Sequence, residues 1–246
     1  MSVLKGEGTH PILFGSTSIV AGPITHGGYL ARPDLSGEWP TVILVPSEWG
    51  ITSSSKDICR RLARLGLAVV AVDLYHGNGP SRAASSEDAA SAAGAIPPAR
   101  AQADLDGVVG FITNPAGFWS SAERGFGIVG FGLGGTPATA AAIRHDAAAL
   151  ALVAAPLLDD EGAGIVDSLA ELTAPLLGLY GKAEDAVTIA DIMEARAAAP
   201  QAEWVLYDGA GDGFMDDYLP GFDLGAHRDS IDRLATFFEK ELPAAG

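Results

Sequence analysis

Cysteine is almost missing from this chain: there is one, Cys59, in 246 residues. A single thiol closes no intramolecular disulfide and builds no cysteine metal cluster. Basic residues are scarce as well, 15 lysines and arginines against 31 aspartates and glutamates, for a formal net charge of −16. A surface that acidic repels phosphate backbones and anionic lipids, which argues against nucleic acid and membrane surfaces as partners. Long apolar runs are lacking: none reaches the ~18 residues of a membrane span. Residues 1–8 lack the basic-then-apolar order of a secretory signal. These absences lead to the expectation of a cytoplasmic protein whose partner is a small molecule, with no cofactor and no metal site. They leave the oligomeric state undetermined.

What is present is enough apolar material for a large core, 48% of the residues, arranged in alternating strand and helix patterns. Short β-branched or apolar runs at 41–45, 67–73, 127–131, 148–154, 174–180 and 203–207 read as buried strands. Helical spacing marks 53–65, 99–113, 136–144, 187–198 and 226–242, while 80–98 is Ala/Ser-rich and loosely helical at best. Strand and helix alternate from Thr41 to the end, with no internal repeat and no dividing linker. The expectation is one α/β domain over residues 1–246, a mostly parallel central sheet with helices on both faces.

Ligands of such sheets bind beyond the carboxyl ends of the strands. The loops to inspect are therefore 46–53, 74–80, 132–136, 181–187 and 208–217.

Four groups of segments, in order, resemble the dienelactone hydrolase (carboxymethylenebutenolidase) family. The first joins Trp49-Gly-Ile51, Arg60-Arg-Leu-Ala-Arg-Leu-Gly66 and Val72-Asp-Leu-Tyr-His-Gly77. The second is Gly130-Phe-Gly-Leu-Gly-Gly135. The third is Ala174-Pro-Leu-Leu-Gly-Leu-Tyr-Gly181 with Glu184, Asp185 and Val187. The fourth is Tyr207-Asp-Gly-Ala-Gly-Asp-Gly-Phe214, followed by Phe222, Asp223 and the last helix. The resemblance implies an α/β-hydrolase fold and a cysteine or serine nucleophile, a histidine base and an acidic orienter. At the matched positions stand Gly132 for the nucleophile, Asp212 for the histidine and Glu184 for the acid. Glycine carries no side chain, so no covalent intermediate forms at that position. The family's first-loop glutamate falls on Ser47 when counted without a gap, and on Glu48 with a one-residue gap.

This triad-equivalent set is degenerate, and it leads to a first expectation. The chain binds a small cyclic or carbonyl-bearing compound and works by acid–base chemistry through Glu48, Glu184 or Asp212. The turn holding Leu133 opens a helix, so its backbone N–H groups suit an anion or oxyanion. Trp49, Tyr75 and Phe214 fit either a small apolar pocket or the core. A second expectation is an ester or lactone hydrolase rebuilt around Ser47 and His76, the one histidine in a ligand-edge loop. A third is a binding protein without catalysis. Cys59, at a core-like helical spacing, reads as a packed thiol. His227, near the start of the last helix, reads as a surface residue, and Asp185, Asp216 and Asp217 as solvated loop acids.

Overall fold

A computed structural model describes residues 8–158, 164–182, 187–211 and 213–242. Eight strands form one sheet: β1 Ile12–Ala21, β2 Ile24–Pro33, β3 Thr41–Val45, β4 Ala68–Val72, β5 Gly127–Phe131, β6 Ala149–Val153, β7 Leu176–Gly181 and β8 Glu203–Tyr207. Their order across the sheet is β1-β2-β4-β3-β5-β6-β7-β8. β1 pairs antiparallel with β2, and β2 antiparallel with β4. Every pairing from β4 across to β8 is parallel.

The parallel strands β3, β4 and β6 are buried at every position, as expected for strands covered on both faces. The helices are α1 Ser53–Arg64, α2 Ser86–Gly94, α3 Pro98–Thr113, α4 Gly135–Arg144, α5 Ile165–Leu169, α6 Ile189–Ala198 and α7 Leu224–Glu241. α1 and α7 pack Ile58, Leu62, Leu234 and Phe238 against one face of the sheet. α3 to α6 pack Leu105, Ala138, Ile165 and Ile192 against the other.

The antiparallel hairpin of β1 and β2 was not expected. Its strands are rich in glycine, serine and threonine, and β1 is largely exposed, so no continuous apolar run marks it. The signal lay in its turn, Gly22-Pro23 between Ala21 and Ile24, which form the last pair of the ladder. The 80–98 segment does contain a helix, α2. Its Ser85 side chain caps Asp88 N–H, while Ala89 is its one buried residue. α2 lies over the carboxyl edge of the sheet, where the site is built.

Candidate functional site

β5 leaves the sheet at Phe131 and the chain turns at once. Gly132 adopts φ +48° and opens a short 3-10 turn, Gly132–Gly134, that runs directly into α4. A left-handed residue between strand and helix is the geometry that projects a nucleophile in α/β-hydrolases, and glycine adopts it without strain. Gly134 has a different reason to be glycine. A β-carbon there would lie 2.1 Å from the Pro46 carbonyl oxygen, so the turn and the β3 loop are pressed backbone to backbone.

That contact delivers Ser47 and Glu48 to the turn. A β-carbon on residue 132 would stand 2.7 Å from Glu48 Oε2 and 3.1 Å from Ser47 Cβ. The Glu48 carboxylate thus fills space that a side chain at 132 would enter. Leu133 N–H donates a long hydrogen bond, 3.4 Å, to the same oxygen. The loop is pinned behind the carboxylate, where Tyr75 Oη donates to the Glu48 carbonyl at 2.6 Å and Gly50 N–H donates to the Ser47 carbonyl at 2.9 Å. Burial, and after it the charge of Glu48, push the Tyr75 phenol up to about 12. Of the two registers open for the first loop, the one that brings a carboxylate to the turn is Glu48.

Two cavities meet here. One, of about 830 Å³, is lined by Ser47, Glu48, Trp49, Gly132, Leu133 and Phe214 among others. The second, of about 430 Å³, shares Pro46, Ser47, Glu48 and Leu133 with the first and extends under α2 and over α3 and α4. Tyr75 lines the second. Trp49 and Phe214 are buried as well as cavity-lining, so the choice between pocket and core does not apply to them.

None of the five histidines lines either cavity. His76, expected beside Ser47, instead turns Nε2 to Asp104 Oδ2 at 2.8 Å and stacks on the His26 ring at 5.1 Å between centroids. Asp104 is only 1% exposed on α3. A buried carboxylate demands a donor, and it draws the imidazole away from the ligand edge. The Ser47–His76 pair is therefore not assembled. His227 is not at the surface. It is buried, Nδ1 donates to the Met215 carbonyl at 3.2 Å, and burial, then the charge of Arg61, hold its pKa below the ordinary value. Asp216 and Asp217 are not simply solvated either, since Ser54 Oγ lies 2.8 Å from one and 2.6 Å from the other. Cys59 is the packed thiol expected, its pKa pushed up to about 12 by burial.

A family model, "Dienelactone hydrolase family", matches residues 26–242. The chain belongs to the dienelactone hydrolase family. A Methylorubrum extorquens relative with the name "Putative carboxymethylenebutenolidase" is 34% identical over 224 residues, spanning 86% of this chain and 76% of the relative. An Escherichia coli K12 relative of the same name is 32% identical over 246 residues, spanning 93% and 88%. A crystal structure of a family protein from Klebsiella pneumoniae superposes with a TM-score of 0.84 at 27% identity, covering 94% of this chain and all of the other. The α/β-hydrolase fold follows from that match and from the sheet order.

Two positions that the family resemblance singled out, Glu184 and Asp212, lie outside the described residues, as does Asp185. The neighbours of Asp212 frame the site. Gly211 and Gly213 line the larger cavity with Gly132 and Glu48. Lys182, at the end of β7, pairs with Asp208 at 2.7 Å. Among the described residues no three His, Cys, Asp or Glu side chains are grouped to hold a metal ion. No helix among them is long and apolar enough to cross a membrane. Sequence reasoning missed the role of Tyr75 as a clamp on the Glu48 loop and the whole second cavity. No pattern along the chain links residues 27 positions apart on different loops.

Proposed function

We propose that this family member binds a small cyclic or carbonyl-bearing molecule at Gly132 and acts on it by proton transfer through Glu48, without a covalent intermediate at residue 132. One observation carries the reading: the Glu48 carboxylate occupies the room beside Gly132 that a nucleophile's side chain would use. A carboxylate so held accepts a proton from a substrate O–H, or from a carbon next to a carbonyl. Leu133 N–H, only weakly engaged by Glu48, is the donor for the carbonyl oxygen as charge builds there. The proton returns from Glu48 to the product, so the enzyme ends unchanged. Glu184 and Asp212 belong to this proposal as the further acids of the matched loops. The acidic, single-cysteine chain suits the reducing cytoplasm and a small-molecule partner rather than nucleic acid or a membrane.

A second reading is favoured by the position of Ser47 and by the relatives' names. In it Ser47, next to Gly132, serves ester or lactone hydrolysis with Glu48 as the adjacent base. The experiment that separates the two is a lactone and phenol panel. Ligands that raise the melting temperature are incubated with protein and the products analysed, in wild type, Glu48→Gln and Ser47→Ala. Proton-exchange or isomerised products that vanish in Glu48→Gln and persist in Ser47→Ala support the first reading. Ring-opened acids and labelling by a fluorophosphonate probe, both lost in Ser47→Ala, support the second.

A further inference from the structure

The second cavity has no part in the chemistry above, yet it shares a wall with it. Pro46, Ser47, Glu48 and Leu133 are common to both cavities, so Glu48 stands at their junction. Beyond the junction the lining becomes apolar: Leu74, Ile96, Ala101, Leu105 and Ala141. Small side chains on two helices, Ala93 on α2 and Ala141 on α4, leave the room. The one phenol present, Tyr75, already spends its hydroxyl on the Glu48 carbonyl. Gln102, Thr136 and Ala140 are exposed and belong to the rim, while Ala93 is half-buried.

Charge narrows the occupant. Glu48 and Asp216 are the charged side chains among the described residues of the two linings, and no lysine, arginine or histidine is among them. Arg82, the cation beside Asp216, lies 3.4 Å from its Oδ2 and packs 4.3 Å over the Tyr218 ring. An anionic ligand would meet the Glu48 carboxylate with no lining cation to compensate. A hydroxyl donated to Glu48 and an uncharged apolar arm meet both surfaces as they are.

We propose that the second cavity is a binding subsite for the apolar arm of a neutral, hydroxyl-bearing cyclic ligand whose hydroxyl donates to Glu48. The inference rests on the reading of Glu48 given above and names the class of molecule for that site. α2 closes both parts, with Ser86 and Ala90 on the first cavity and Ala93 and Gly94 on the second. A ligand with a head at Glu48 and an arm under α2 therefore spans the two.

The test uses 4-alkylphenols from phenol to 4-pentylphenol, with affinities measured by calorimetry on the intact chain. Each buried methylene should tighten binding about fourfold until the cavity is full. In Ala93→Leu and in Ala141→Leu, which put a larger side chain against the arm's place, the series should flatten, so that 4-butylphenol gains little over phenol within the same variant. 4-(4-Hydroxyphenyl)butanoate, which ends the same arm in a carboxylate, should bind at least tenfold more weakly than 4-butylphenol. Melting curves confirm that the variants are folded, and either variant alone suffices if the other is not. Phenol binding that depends on Glu48 but does not grow with chain length would overturn the subsite and leave the Glu48 reading standing. Chain-length gains that persist in both folded variants, or equal binding of the carboxylate, would also overturn it. Absence of binding by every member, phenol included, would overturn the Glu48 reading and the subsite with it.

Discussion

Glu48 Oε2 lies 2.7 Å from the point that a β-carbon on Gly132 would occupy. A carboxylate and an absent side chain are thus complementary. A left-handed glycine carries the chain from strand to helix, and an acid from the neighbouring strand's loop faces it.

Placing a hydroxyl on residue 132 tests that complementarity. In Gly132→Ser the new side chain meets the far end of a flexible glutamate, which can swing aside, but the residue must adopt φ +48°. The variant should fold and lose about 1–2 kcal/mol of stability. It should show no p-nitrophenyl acetate burst, because no histidine lines either cavity. Urea titration and stopped-flow absorbance read these outcomes. A burst would mean that Glu48, beside the new hydroxyl, serves it as a base in the way the second reading assigns to Ser47.

Tyr75 reports the charge of Glu48. Burial comes first and the Glu48 carboxylate second among the causes that push its phenol up to about 12. Repulsion between like charges raises the pKa of a phenol, so Glu48→Gln should lower the Tyr75 titration midpoint without returning it to the ordinary value. The difference in absorbance near 295 nm between each protein and its Tyr75→Phe counterpart isolates that one ring. An unchanged midpoint would place the carboxylate elsewhere.

His227 gives the fold a pH dependence of known sign. Its pKa is lowered in the folded state, so the folded chain binds fewer protons than the unfolded chain just below 6.5. The stability this group contributes is complete above that value and falls away as the pH drops through 6.5 toward the folded pKa. His227→Gln, which keeps a donor for the Met215 carbonyl, should flatten the fall between about pH 7 and pH 5. Melting temperatures of both proteins across that range measure it, and parallel curves would contradict the assignment.

Asp104 separates fold from function. It is buried, accepts from His76 and lies 3.8 Å from His26, and none of the three lines a cavity. Asp104→Asn should cost about 1–3 kcal/mol of stability while ligand affinity at Glu48 stays within a factor of two. A large loss of affinity would return His76 to the site.

Much of the architecture was legible in the chain. Strands β3 to β7 announce themselves as apolar runs because parallel strands are buried on both faces, while the edge strand β8 keeps a shorter apolar run at half-buried positions. The hairpin of β1 and β2 does not, because an edge ribbon with one open face needs no such run. The Gly132 turn was readable from its glycines, since backbone contact at Gly134 and a left-handed residue at 132 tolerate little else. What surrounds the turn was less so. His76 sits in a ligand-edge loop, and only the buried Asp104, 28 positions away, decides where its ring points. Tyr75 and Glu48 likewise meet through a side chain and a carbonyl on different loops, a contact that no local spacing encodes.

The central claim is that the Glu48 carboxylate is the group that holds the ligand's proton. Calorimetric titration of phenol into wild type and Glu48→Gln tests it most directly, since the substitution keeps size and hydrogen-bonding capacity while removing the charge. A hydrogen bond to a charged partner is worth about 1–1.5 kcal/mol more than a neutral one, so the account predicts a loss of affinity of about five- to tenfold in Glu48→Gln at an unchanged melting temperature. Equal affinity in the two proteins would contradict it.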